Sequence, residues 1–177
     1  MVWRLLDRWI VRDLVIAQQE AAGFVPEGKS YEWQGPFVEG KSRREISTQM
    51  AGLWSSSSMQ MHHLCAANDI PYVHFLQPNQ YLPESKPITR KERLVAWDEN
   101  SPYVDLVPEA YPLLQEAGRK LNEAGIAFHD LSLIFQETET SLYVDSCCHL
   151  SPEGSRLLAE AMVERMESTL TAGTSED

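Results

Sequence analysis

Two short apolar runs, Ile70-Pro-Tyr-Val-His-Phe-Leu76 and Ile126-Ala-Phe-His-Asp-Leu131, each follow a long stretch of helical pattern that ends in a turn residue. This repeated order constrains the chain more than any other feature. Parallel neighbours in a sheet need a crossover long enough to hold a helix, and a helix feeding a buried strand is half of such a unit. We therefore expect an α/β fold with a parallel sheet of two or three strands flanked by helices. A length of 177 residues with 43% hydrophobic side chains is enough for one domain with its own core, spanning 1–177.

Along the chain, residues 2–22 read as a helix carrying Leu5, Trp9, Leu14 and Ile16, stopped by Gly23. Residues 24–41 have no period and read as an extended loop, with Trp33, Pro36 and Phe37 able to pack as a lid. A long helix is expected over 42–67, with Ile46, Met50, Leu53, Trp54, Met61, Leu64 and Cys65 on its inner face and Asn68 as its cap residue. The Ser55-Ser-Ser-Ser58 run lowers its propensity without breaking it. Thr89-Arg-Lys-Glu92 matches a capping box, opening a short helix to about residue 97 within an insertion, 81–107, that could cover a site. Residues 108–124 form the next helix, ended by Gly125, with Tyr111, Leu114 and Leu121 inward. The last helix, 154–170, buries Leu157, Leu158, Ala161, Met162 and Met166, and 171–177 is a frayed tail.

A formal charge of −11 argues against nucleic acid or an anionic membrane as partner, since both would repel the chain. A small neutral or cationic molecule, or another protein, fits better. Three cysteines, two of them adjacent, do not make a disulfide framework, so a reducing, cytoplasmic compartment is the default expectation. Arg4, Asp7, Arg8, Arg12 and Asp13 break up the apolar positions of the first twenty residues, which rules out a membrane span there.

The chemistry concentrates in Tyr143-Val-Asp-Ser-Cys-Cys-His-Leu-Ser-Pro-Glu-Gly154. In a tight turn Asp145 can hold one imidazole nitrogen of His149 and leave the other to take a proton. Ser151-Pro152 then starts a helix, with the serine as cap and proline at the first position. Ligands in parallel sheets sit beyond the carboxyl ends of the strands, which makes Gln77, Asn79 and Gln80 candidate wall residues. Asp130, at the corresponding end of the second strand, is either a second acid or the cap of a turn through Ser132. Cys147 and Cys148 are weak zinc candidates, because adjacent cysteines rarely chelate one ion and no second cluster completes a set. No metal or cofactor is expected.

The 143–154 segment resembles the Asp/His block of the SGNH (GDSL-type) hydrolases, and the resemblance extends over roughly residues 46–166. Ser146, Cys147 and Cys148 separate acid from base where the family pattern has two residues. The family's Gly-Asp-Ser block is absent, and Ala66-Ala-Asn-Asp69 is a degenerate form of its Gly-x-Asn-Asp block placed before a strand rather than after one. The resemblance implies a three-layer, flavodoxin-like fold and a serine esterase or acyl hydrolase with His149 as base and Asp145 as acid. It further implies that this chain corresponds to the C-terminal portion of such an enzyme, without the nucleophile segment. With few strands the sheet edges need cover, so a homodimer or a missing N-terminal half is expected. The alternative is a non-catalytic binding or assembly module of the same fold.

Overall fold

The computed structural model describes residues 40–173, and side chains as far as residue 169. The helix expected at 2–22 and nearly all of the loop expected at 24–41 lie outside the described residues. The order of elements is α1 (Arg43–Ala66), β1 (His74–Leu76), α2 (Arg90–Val95), α3 (Tyr103–Glu123), β2 (Phe128–Asp130) and α4 (Pro152–Gly173).

The described residues are mixed helix and strand, with two parallel strands in register His74 to Phe128, Phe75 to His129 and Leu76 to Asp130. Both strands are shorter than the apolar runs that announced them. Residues 70–73 approach the sheet without pairing, and Leu131 N–H extends the pairing by one bond to Leu76 O (2.9 Å).

One face of the sheet carries His74 and Phe128, and Trp54 of α1 packs on both, with ring centroids 4.3 and 5.9 Å away. On this face α3 passes so close to β2 that Gly118 has no room for a side chain: a Cβ there would sit 2.1 Å from the Phe128 ring. The other face carries Phe75 and His129, stacked at 5.7 Å, and His129 Nε2 meets Thr169 Oγ1 of α4 at 2.9 Å. Helices thus reach both faces. Leu76, Val107, Tyr111, Leu121, Ile126 and Phe128 form the main core, and a second cluster of Ala96, Phe135, Leu142 and Tyr143 lies against Leu157 and Leu158 of α4.

Helix ends follow their caps. Ser42 and Thr89 each form a reciprocal capping box, with Glu45 and Glu92. Ser151 Oγ accepts from Gly154 N–H (3.2 Å) at the start of α4, where Pro152 is the first residue. The C-terminal cap residue of α1 is Ala67 rather than Asn68. Asn68 instead donates its side-chain amide to Leu64 O (2.8 Å), and Asp69 takes the left-handed conformation (φ 55°). α3 begins at Tyr103, so Pro108 and Pro112 lie inside it, where proline was expected to open the helix.

The inner face of α1 differs from the apolar stripe read from sequence. Ser47, Ala51 and Ser58 are the buried residues, with Trp54 packed against the core. Met50, Leu53, Met61 and Leu64 are exposed. Small residues win the inner positions because α3 and the sheet approach closely there. Met166 of α4 is likewise exposed, at 40%.

Candidate active site

Residues 142–151 form a closed loop. Tyr143 and Leu150 pair as an antiparallel bridge, Val144 N–H donates to His149 O (3.0 Å), and Ser151 N–H donates to Leu142 O (2.6 Å). Within it, His149 Nδ1 lies 2.6 Å from Asp145 Oδ2. Asp145 Oδ1 accepts from the backbone N–H groups of Cys147 (2.8 Å) and His149 (3.4 Å). The imidazole first, and these N–H groups after it, hold the Asp145 carboxyl below its usual range. The pair stands on open surface, the side chains 69% (His149) and 45% (Asp145) exposed. His149 Nε2 has no hydrogen-bond partner among the described residues.

The third intervening residue is absorbed by backbone geometry. Cys148 adopts φ 63°, a left-handed conformation uncommon for a residue with a Cβ, and this turns the chain back so that the fourth residue after Asp145 meets its carboxylate.

Other elements hold the loop in place. Glu92, fully buried at the start of α2, accepts Leu142 N–H (2.7 Å) and Tyr143 N–H (3.1 Å) on one oxygen, and Lys86 Nζ (2.9 Å) and Thr89 N–H (2.9 Å) on the other. Burial pushes its carboxyl up, but the Lys86 ammonium and the three N–H donors outweigh that and bring it below the usual value. Gln80 donates its side-chain amide to Asp145 O (2.8 Å) and Ala96 O (3.0 Å). Gly154 approaches the loop backbone so closely that a Cβ would meet Leu142 O at 3.1 Å. Sequence reading identified Glu92 only as half of a capping box. Its second role, gripping a segment fifty positions away, has no local signature.

The two thiols of this loop reach different elements, Cys148 the end of β1 and Cys147 the start of α3. Cys148 Sγ is 3.9 Å from Gln77 Nε2, and Cys147 Sγ is 3.8 Å from the Tyr103 hydroxyl. Burial, then the neighbouring Cys147 and Asp145, push the Cys148 thiol up, which opposes formation of a thiolate nucleophile. Among the described residues no group of three or more His, Cys, Asp or Glu side chains could hold a metal ion.

The remaining candidates divide by position. Gln77 is exposed at the carboxyl end of β1, and its carbonyl accepts from the Tyr111 hydroxyl (3.0 Å). Asn79 folds its own turn, its side-chain oxygen accepting Tyr81 N–H (3.0 Å). Asp130 places one oxygen on Ser132 N–H (2.9 Å) and the other on the Gln115 amide (3.0 Å). Gln77 is therefore linked to the Asp145–His149 loop through Cys148, whereas Asp130 is committed to its turn and to α3.

A serine–imidazole contact away from this loop was not foreseen. Ser58 Oγ lies 2.6 Å from His74 Nδ1 and 3.1 Å from the Tyr72 hydroxyl, with Trp54 covering the imidazole. Buried between α1 and the sheet, it satisfies polar groups rather than presenting them to a substrate. No protein family, curated protein or solved structure matches this chain.

Proposed function

We propose that the chain carries the acid–base machinery of a serine-type ester or acyl hydrolase of the SGNH kind, on a three-layer, flavodoxin-like α/β scaffold. The observation that carries this reading is the 2.6 Å contact between His149 Nδ1 and Asp145 Oδ2, which leaves Nε2 directed away from the acid. Asp145 is itself fixed by two backbone donors, so the imidazole is oriented by a carboxylate that is not free to turn.

In this mechanism His149 Nε2 takes the proton of a serine hydroxyl as it attacks the ester carbonyl and returns it to the departing alcohol. Asp145 stabilises the intervening imidazolium. The two N–H groups of the loop nearest the pair are spent on Asp145 Oδ1, so the oxyanion needs donors from elsewhere. Among the described residues no serine contacts His149 Nε2. The reading assigns His149 as base and Asp145 as acid and names no nucleophile or oxyanion donor.

The test is a fluorophosphonate probe applied to the full chain, with the label located by mass spectrometry. Because the chain has no Gly-Asp-Ser block, labelling is expected to be weak; a labelled serine that is lost in His149→Ala and slowed on the order of 10⁴-fold in Asp145→Asn supports the reading. Absence of labelling from the folded protein would remove the catalytic reading.

A further inference from the structure

Between Ile46 and Ala66 helix α1 contains no Asp, Glu, Lys or Arg, in a chain that is 23% charged and has a net charge of −11. A helix whose outward surface faces water ordinarily carries charge there. This one carries instead a stripe of exposed apolar residues, Met50 (62%), Leu53 (65%), Met61 (49%) and Leu64 (61%), about a quarter-turn from the buried line of Ser47, Ala51 and Ser58.

The stripe has a particular symmetry. With Ser57 included, positions 50, 53, 57, 61 and 64 are spaced three, four, four and three, so the pattern reads the same in either direction. A surface that matches itself after reversal is what a two-fold contact between identical subunits requires. We propose that this face of α1 is the interface of a homodimer in which two α1 helices pack antiparallel and cross at Ser57. Met50 then lies against Leu64 of the partner subunit, and Leu53 against Met61 of the partner subunit. The small Ser57 side chains at the crossing let the helix axes approach within the usual 8 to 10 Å.

Charge selects the same surface. Two copies at −11 repel through most of their surfaces, and residues 46–66 offer a long face on which no like charges meet. A single helix pair about 30 Å long is a small interface, so the dimer forms and dissociates with concentration. Salt screens the repulsion and leaves the apolar contact intact, so association strengthens as ionic strength rises.

Sedimentation velocity of the full chain over three decades of concentration, at low and high salt, tests this. A reversible monomer–dimer equilibrium that is strengthened by salt and abolished by Leu53→Glu with unchanged far-UV circular dichroism is the expected outcome. Independently, Ser57→Cys oxidised with copper phenanthroline gives a covalent dimer whose mapped bridge joins residue 57 to residue 57. A monomer at every concentration, whether the face is covered by another part of the chain or simply solvated, overturns the proposal. So does a dimer indifferent to Leu53→Glu, or a Ser57→Cys protein that yields no 57-to-57 bridge.

Discussion

Glu92 shows how much one side chain can organise. Its two oxygens receive four hydrogen bonds, from Lys86, Thr89, Leu142 and Tyr143, and none of it is exposed. Replacing it with alanine leaves the Lys86 ammonium and three N–H groups without this acceptor, and removing one partner of a buried pair costs about 3–5 kcal/mol. Urea denaturation of Glu92→Ala should show that loss; a change below about 1 kcal/mol would mean that water replaces the carboxylate. Because the folded carboxyl is held below its usual value, its contribution is present above the ordinary glutamate range and disappears as pH falls through the depressed value. Gly118 sets a different constraint. Gly118→Ala drives a methyl into the Phe128 ring, and overpacking of this kind costs about 1–3 kcal/mol, again read from the denaturation midpoint.

At the level of elements, legibility followed locality. The capping box at Thr89, the Ser151-Pro152 start of α4 and the Gly125 stop are short-range patterns, and each marks the expected element. The Asp145–His149 contact was also readable, because both partners lie in one turn. What sequence could not show was which side of α1 faces inward. Periodicity points apolar residues to the core, yet close packing against α3 selected Ser47, Ala51 and Ser58. The grip of Glu92 and Gln80 on the 142–145 backbone was invisible for the same reason, since it joins residues far apart in the chain. The strand His74–Leu76 brings a pH dependence of its own. Burial lowers the affinity of His74 for a proton, and burial together with Arg165 does the same for His129. The unfolded chain then binds more protons than the folded one below the ordinary imidazole value, so stability declines as pH falls through that region. Melting temperature measured from pH 8 to pH 5 should fall, and His74→Gln should flatten the fall; an unchanged slope would assign the effect to His129 alone.

For the whole molecule, the register between β1 and β2 sets the order of assembly. Its first rung joins His74 to Phe128, segments separated by about fifty residues, and that separation must be closed before any strand pairing stabilises the chain. Helices α1 and α3 can wind on local information alone. Refolding should therefore acquire its circular dichroism ahead of protection of the His74 and Leu131 amides, whose bonds to Ala127 O and Leu76 O stitch the two strands together. During that interval the unpaired strand edges are open to neighbouring chains, so dilute refolding should recover more protein than concentrated refolding.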